Sequence, residues 1–191
     1  MAAADNHLPH WPSTLLAQAA NIRLVVFDVD GVMTDGRLYF DNAGNEIKAF
    51  HSRDGLGLKA LMRYGFTVAA LTARHSRLVE ARMAELSINH VRQGRHDKRA
   101  ALDELLAEVD LSAHQTAYMG DDLVDWPAMR CVKFKLCPAN AESWIAERAD
   151  YVTRALAGRG AVREACELLL AASGKLQAWR AQFCAVDHQA P

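Results

Sequence analysis

Two aspartates separated by one residue follow the first apolar run of the chain. The run over residues 22–27 is rich in β-branched residues and ends in Asp28, with Asp30 and Gly31 close behind. In extended backbone, residues two apart point to the same side, so Asp28 and Asp30 can face one site, and Gly31 permits a sharp turn. Carboxylates this close repel each other unless a hard divalent cation binds between them. Magnesium fits that chemistry.

Polar side chains also follow three later apolar runs. Thr72 and Arg74 come after one run, Lys98 follows the next, and Asp121 and Asp122 follow a third. Together with the first acidic pair, they supply a carboxylate nucleophile, a second carboxylate, a hydroxyl, an ammonium and a further acidic pair. That set is sufficient for phosphoryl transfer to an aspartate.

Each of these groups also has a purely structural interpretation when it is taken alone. A turn rich in Asp and Gly after a buried strand is common in α/β proteins, and both acidic runs fit it. Thr72 also fits a helix N-cap, and most lysines such as Lys98 are solvated surface charges. The joint occurrence of all four groups in one order favours the functional interpretation.

The elements that must position these residues alternate between strands and helices. Short apolar runs predict strands at residues 22–27, 67–71, 116–119, 132–136 and 151–153. Between most of them lie amphipathic stretches whose apolar residues repeat with helical spacing, as in residues 102–109 and 162–169. The pattern predicts an α/β fold with a doubly wound, mostly parallel, Rossmann-like sheet. Its ligand site lies beyond the carboxyl ends of the strands.

One stretch breaks this alternation and predicts a β-hairpin insertion over residues 37–50. Leu38, Phe40, Ile47 and Ala49 take alternating positions around a turn rich in Asp, Asn and Gly. The hairpin and the helix that follows it nearly fill the chain before the next strand. The sequence therefore predicts no separate cap domain.

A chain of 191 residues is long enough for one well-buried domain, which we assign to residues 22–176. Residues 1–21 are predicted to form an N-terminal segment with a short helix at 15–20, and residues 177–191 a weakly ordered tail.

The composition is that of an ordinary globular protein. The net charge is −1, and no apolar run approaches the roughly 20 residues that span a bilayer. The N-terminus lacks a basic region followed by an apolar stretch. We therefore expect no nucleic-acid or membrane partner and a cytoplasmic location. The cysteines match neither a zinc nor a redox spacing and are predicted to be reduced thiols: Cys131, Cys137, Cys166 and Cys184.

In their order, these residues resemble the haloacid dehalogenase superfamily of phosphatases, over about residues 22–176. The resemblance implies four catalytic residues. Asp28 is the nucleophile that forms a phosphoaspartate, and Asp30 first protonates the leaving alkoxide and then deprotonates the attacking water. Thr72 and Lys98 hold the transferring phosphoryl oxygens.

The same resemblance implies Mg²⁺ as the cofactor. Its ligands are expected to be the Asp28 carboxylate, the Asp30 carbonyl and the Asp121 carboxylate. Asp122 or Asp125 is expected to orient these ligands from behind.

A narrower resemblance is to the superfamily members that hydrolyse 3-deoxy-D-manno-octulosonate (KDO) 8-phosphate in lipopolysaccharide precursor biosynthesis. It rests on the runs at residues 34–36, 50–55, 120–127, 148–153 and 158–164. An acidic sugar phosphate needs cations for its distal carboxylate as well as for its phosphate. The substrate-binding residues implied are His51, Arg53, Asp54, Gly55, Lys59, Arg74, Arg159 and Arg163.

The family resemblance further implies a homotetramer. A site without a cap domain needs a cover that shields phosphoaspartate from water, and a neighbouring subunit can provide it. Residues 157–164 contain a Gly-Arg-Gly run that we interpret as a flexible, cationic strip. We expect Arg159, and with it Arg163, to act on the active site of an adjoining subunit.

The sequence leaves three rival functions. A phosphatase for the 9-phosphate of a sialic-acid-like sugar uses the same core, although the run from Arg53 to Gly55 favours the eight-carbon substrate. A phospho-accepting receiver domain also surrounds magnesium with aspartates, but it presents them in another order. A catalytically dead binding module is disfavoured by the complete catalytic set.

Two departures from the family pattern are Ala73, in place of glycine, and the lysines at 133 and 135, which suggest an edge strand.

Overall fold

The computed structural model of the chain describes residues 11–184. Six strands form its central sheet: β1 Leu24–Phe27, β4 Thr67–Leu71, β5 His90–Arg92, β6 Thr116–Met119, β7 Phe134–Cys137 and β8 Tyr151–Val152. The strand order is β5-β4-β1-β6-β7-β8, and every neighbouring pair is parallel. The predicted doubly wound, mostly parallel sheet is confirmed.

Helices cover both faces of this sheet: α1 Ser13–Ala19, α2 Ser52–Arg63, α3 Arg77–Leu86, α4 Lys98–Val109, α5 Trp126–Met129, α6 Ser143–Ala146, α7 Ala161–Ala172 and α8 Leu176–Cys184. The position of β1 between two cores explains why its sequence is continuously apolar. Val25 and Phe27 pack into one core with α2 and α7, whereas Leu24 and Val26 pack into a second core with α4 and α5. Parallel strands buried on both faces need apolar residues at every position.

The strand order predicts a ligand crevice between β1 and β6, where the direction of the chain across the sheet reverses. From β1 the chain moves outward to β4 and β5, and then returns through α4 to β6 on the other side of β1. Open α/β sheets bind ligands at such a switch point, outside the carboxyl ends of the strands. The residues that follow β1 and β6 therefore flank the crevice.

The predicted insertion is a short antiparallel hairpin, with β2 at Tyr39–Phe40 and β3 at Glu46–Ile47. Its apolar side chains are turned outward, and Phe40 and Ile47 are 58% and 53% exposed. The alternate residues Glu46 and Lys48 face inward instead. The hairpin thus exposes apolar side chains from both of its strands, and we call its inner face the side on which Glu46 and Lys48 contact the rest of the protein.

Two local expectations were wrong. The lysine at 135 does not lie on an edge strand, because β8 pairs with β7 and forms the edge. Its ammonium pairs with Asp150 at 2.7 Å, which explains how a charge fits an interior strand. The stretch 177–184 is helical rather than weakly ordered, because Leu176 and Trp179 lie one turn apart and are buried against the α7 side of the core.

The remaining part of that predicted tail, residues 185–191, and the N-terminal residues 1–10 lie outside the described residues. The expected N-terminal helix corresponds to α1. None of the helices described between residues 11 and 184 has the length and apolar character that crossing a bilayer requires.

Candidate active site

The loop after β1 brings two acidic segments together. Asp28 follows β1 directly, and its N–H donates to the carbonyl of Met119, the last residue of β6. Gly31 has a φ of +93°, and a Cβ at this position would collide with the carboxylate of Asp121. Only glycine satisfies both conditions. The turn that the sequence predicted at Gly31 therefore also makes room for the acidic loop after β6.

Lys98 begins α4 and reaches the end of β1 from behind. Its side chain is 2% exposed, and its Nζ lies 2.8 Å from Asp28 Oδ1 and 2.6 Å from Asp125 Oδ1. Burial lowers the pKa of this ammonium, but attraction to Asp28 and Asp125 outweighs burial and raises the pKa overall. Lys98 therefore stays protonated beside the carboxylate expected to be the nucleophile.

Three carboxylates cluster around this ammonium. Oxygens of Asp28, Asp121 and Asp125 all lie within 4.8 Å of one another. Burial, followed by repulsion from Asp125, raises the pKa of Asp28 well above its usual range although Lys98 opposes the shift. The same two causes raise the pKa of Asp121 to about 7. One ammonium does not balance this concentration of negative charge, so the donor set suits a hard divalent cation with oxygen ligands.

Asp125 is already fully engaged within the protein. Oδ1 accepts hydrogen bonds from Lys98 and from the Tyr118 hydroxyl, and Oδ2 accepts from the N–H groups of Asp121 and Asp122. Four donors fill the four acceptor positions of a carboxylate. Asp125 thus orients the ligand loop and the lysine rather than offering a free oxygen to a cation.

Asp122 has a different position from Asp125. Its side chain is exposed and accepts a hydrogen bond from the N–H of Leu123, so it caps the short helical turn Leu123–Asp125. In the structure, the Asp122 side chain therefore caps its own loop, and its link to the site is the backbone N–H that donates to Asp125.

Thr72 occupies the end of β4 and is buried. Its Oγ1 accepts a hydrogen bond from the N–H of Arg74 at 3.2 Å, and its own N–H donates to Arg92 of β5. No helix begins at this threonine, since α3 starts at Arg77. The helix N-cap alternative is therefore excluded.

The inner face of the hairpin adds two residues that the sequence analysis missed. Lys48 binds Oδ1 of Asp30, and its side chain is only 3% exposed. Glu46 accepts hydrogen bonds from Arg74 at 2.6 Å and from the Ser76 hydroxyl at 3.0 Å. Alternation along the hairpin gave no signal for them, because the register pairs Glu46 with the apolar Phe40 and so does not separate charged from apolar side chains.

Arg74 links the hairpin to the loop after β1. Besides its hydrogen bond to Glu46, its Nε lies 3.8 Å from Asp30 Oδ2. Its side chain remains 46% exposed, so a substrate anion can still reach it.

Several predicted substrate-binding residues lie around the start of α2 and have structural contacts. His51 caps α2 by accepting a hydrogen bond from the N–H of Arg53. Asp54 is buried and accepts from the N–H of Arg163 at the start of α7, while Gly55 packs closely against Arg82 of α3. Burial raises the pKa of Asp54 despite that hydrogen bond. These contacts join α2 to its neighbouring helices and do not support substrate binding by Asp54 or Gly55.

The segment expected to be a flexible, cationic strip packs against the loop after β1. Gly158 donates its N–H to the carbonyl of Val32, and its φ of +63° lets it pack directly on the backbone of Thr34 and Asp35. The Arg163 side chain binds Glu167 at 2.7 Å and stacks on the Trp179 ring. Gly158 thus permits close packing on the loop after β1.

Four arginines nevertheless surround an open cavity of about 210 Å³ beside this segment: Arg53, Arg154, Arg159 and Arg163. Lys59 lies apart from them on the exposed side of α2. Three groups of predicted site residues thus emerge. Asp28 and Asp121, with Asp125 and Lys98, form an anionic centre that suits a metal, and Asp30 and Arg74 are both bound by hairpin residues. The arginines line a cavity at the α7 end.

The sequence profile of haloacid dehalogenase-like hydrolases matches residues 84–164. The chain is 46% identical over 168 residues to the 3-deoxy-D-manno-octulosonate 8-phosphate phosphatase KdsC of Escherichia coli K12, which covers 88% of this chain and 89% of that protein.

Solved structures agree with this similarity. A 3-deoxy-D-manno-octulosonate 8-phosphate phosphatase from Yersinia pestis superimposes with a TM-score of 0.85 at 47% identity, covering 86% of this chain and 89% of that one. The phosphatase of the same name from Moraxella catarrhalis, solved with a magnesium ion, a phosphate ion and KDO, gives a TM-score of 0.87 at 39% identity. It covers 89% of this chain and 98% of that one.

Proposed function

We propose that this chain, which belongs to the 3-deoxy-D-manno-octulosonate 8-phosphate phosphatase family of haloacid dehalogenase-like hydrolases, hydrolyses KDO 8-phosphate to KDO and inorganic phosphate. The single observation that carries the proposal is the buried contact of Lys98 with Asp28 beside Asp121. It places an ammonium, a nucleophile and metal-suited carboxylates at one strand end, in a fold shared with relatives of that activity.

Magnesium is the proposed cofactor. The Asp28 and Asp121 carboxylates and the Asp30 carbonyl would hold it, while Asp125 keeps their loop in place. When bound, the ion supplies positive charge that screens the nucleophile from the phosphate dianion. The crowded carboxylates, the raised pKa of Asp121 and the magnesium in the Moraxella catarrhalis relative support this assignment.

The chemistry proposed for the side chains proceeds in two steps. A carboxylate oxygen of Asp28 attacks phosphorus, the bond from phosphorus to the sugar oxygen breaks, and Asp30 gives that oxygen its proton. Water then attacks the phosphoaspartate, Asp30 takes a proton from it, and inorganic phosphate leaves. Thr72 and Lys98 donate hydrogen bonds to the phosphoryl oxygens, which gain charge in the transition state.

Recognition of the sugar acid is assigned to the cations around the crevice. Arg74 stays exposed beside Asp30 and suits the phosphate end of the substrate. Arg53 and Arg159 are proposed to bind the distal carboxylate, with His51, which caps α2, and Lys59, on the exposed side of α2, as further proposed contacts. Contacts of the other predicted residues, Asp54, Gly55 and Arg163, suit them better to holding α2 against α7.

We further propose a cytoplasmic homotetramer in which Arg159 serves the active site of an adjoining subunit. The exposed apolar side chains of the hairpin support subunit association, since Leu38, Phe40 and Ile47 are each more than half exposed. Cysteines without disulfides throughout the described residues suit a reducing compartment.

The proposed function is tested by measuring phosphate release from KDO 8-phosphate, a sialic-acid-like 9-phosphate and simple sugar phosphates, with magnesium or after chelation. We expect the eight-carbon sugar acid to give the highest kcat/KM and chelation to abolish the rate. Asp28→Asn should lower kcat by several orders of magnitude while the fold persists. Preference for the nine-carbon substrate, or retention of a tenth of the rate by Asp28→Asn, would refute the assignment.

A further inference from the structure

A lysine from the hairpin holds the side chain expected to exchange protons with the substrate. Lys48 follows β3, on the inner face of the insertion, and its ammonium binds Oδ1 of Asp30. It also lies 3.4 Å from Glu46, which holds Arg74 in turn. A side chain 3% exposed that carries a full charge is expensive to bury unless it is paired. The hairpin therefore brings the Lys48 ammonium to the Asp30 carboxylate.

The two oxygens of Asp30 have different surroundings. Oδ1 is occupied by Lys48, whereas the buried Oδ2 has no hydrogen-bond partner within the part of the chain that the structure describes. The Nε of Arg74 stands 3.8 Å from this oxygen, beyond hydrogen-bond distance. One oxygen is thus held and the other is left free.

We propose that Lys48 is a positioning residue that fixes Asp30 with Oδ1 bound and Oδ2 presented to the oxygen of the leaving sugar. The proposal rests on the proposed function, because it assumes that Asp30 protonates that oxygen. An ammonium only donates hydrogen bonds, so the oxygen that it holds must remain an acceptor. The proton that Asp30 exchanges is therefore carried on Oδ2.

Loss of Lys48 would free Asp30 to turn toward Arg74, the remaining cation beside it. A bond to Arg74 would occupy Oδ2 and withdraw it from the reaction. General-acid catalysis depends on a side chain held within hydrogen-bond reach of its target, so this rotation should slow the step that expels a poor leaving group. A good leaving group needs no such proton.

Leaving-group dependence therefore tests the proposal. The variants are Lys48→Met, Lys48→Gln and Lys48→Arg, and the substrates are KDO 8-phosphate, whose alkoxide needs protonation, and p-nitrophenyl phosphate, whose phenolate does not. The value compared is kcat/KM, because it reports the steps up to the first irreversible one, which include expulsion of the leaving group. Lys133→Met is the matched control, since this lysine is exposed and lies outside the site.

We expect Lys48→Met to lower kcat/KM roughly 100-fold for the sugar phosphate, the lower end of what general-acid catalysis contributes, and less than about 10-fold for the aryl phosphate. Lys48→Arg should recover most of the loss, because it restores a donor to Oδ1. An equal loss for both substrates, or no loss, would overturn the proposal. So would failure of all three variants to fold, which would assign Lys48 to stability alone. Inactivity of the unmodified protein toward KDO 8-phosphate would instead overturn the proposed function.

Discussion

At the scale of single residues, Asp121 has the most informative environment, because its pKa of about 7 departs far from the ordinary value of 3.8. A carboxyl whose pKa is raised in the folded state favours folding at low pH, and that contribution is lost as pH rises through about 7. Metal binding requires the ionised form. At the pH values at which magnesium binds best, the metal-free folded protein therefore carries the largest electrostatic cost of ionising Asp121.

We accordingly predict that the rise in Tm produced by magnesium grows with pH, from small at about pH 5 to large at about pH 8. The measurement is thermal unfolding with and without magnesium across that range. In Asp121→Asn, which cannot ionise, the rise should be small at every pH. A rise of equal size throughout the range in the unmodified protein would contradict the assigned environment.

Asp125 is expected to matter more for stability than any exposed acidic neighbour. Asp125→Ala would leave the Tyr118 hydroxyl and two backbone N–H groups without their acceptor and would remove one of the two carboxylates paired with Lys98. Removing one partner of a buried ion pair costs about 3–5 kcal/mol. Urea denaturation of the metal-free protein should show a loss of that size.

The matched control for this prediction is Asp122→Ala, which removes only an exposed cap of the same loop. It should cost about 1 kcal/mol. Similar losses in the two variants would mean that the hydrogen bonds of Asp125 contribute little to stability.

At the scale of elements, the segment before α7 supports the loop after β1. A Cβ on Gly158 would lie 2.5 Å from the backbone nitrogen of Asp35 and 2.7 Å from the carbonyl carbon of Thr34. Gly158→Ala should therefore displace the loop that carries Asp28 and Asp30, and lower both kcat and Tm. Enzyme assays and thermal unfolding measure the two effects.

Gly174→Ala is the control that separates the effect of backbone strain from the effect of the contact made by Gly158. Gly174 has a similar φ of +72°, but a Cβ there would meet nothing within 4 Å. It should lower stability by about 1 kcal/mol and leave kcat unchanged. If Gly158→Ala also left kcat unchanged, the segment would not support the active-site loop.

Strands were predicted correctly where burial on both faces makes their sequence continuously apolar. The predicted runs at 67–71 and 116–119 coincide with β4 and β6, because interior parallel strands are apolar at every position. The pairing of Lys48 with Asp30 has no such signature. It depends on how a hairpin folds back over a loop 18 positions earlier in the chain, which residue spacing does not reveal. The edge assignment of Lys135 failed for the same reason, since its partner Asp150 belongs to another segment.

Candidate site residues were predictable to the extent that strand ends determine them. Asp28, Lys98 and Asp121 meet because β1 and β6 are neighbours and α4 starts behind them. Arg53, Arg159 and Arg163 were each predicted to bind substrate, and they line one cavity with Arg154, but the packing of Gly158 on the loop after β1 was not foreseen. Glycine in a sequence permits both mobility and close packing, and only the packing partners distinguish them.

At the scale of the whole molecule, the exposed apolar side chains of the hairpin are predicted to mediate subunit association. Replacing Phe40 and Ile47 together by aspartate would place charges where the proposed interface buries apolar side chains. Sedimentation should then show a smaller assembly than that of the unmodified protein. Leu78→Asp, at an exposed apolar residue of α3, should leave the assembly intact. A monomeric unmodified protein would refute the proposed tetramer.

The central position of β1 also has a consequence for how the protein is made. Its partners β4 and β6 come much later in the chain, so the contacts that define the site are separated by long stretches of sequence. Long-range pairing of this kind is slow because extended loops must close first. Asp28 emerges early during synthesis, yet it meets Asp121 only after β6 has docked beside β1. A nascent chain is therefore chemically inert until the sheet closes, and enzymatic activity recovered during refolding should appear together with the native fold.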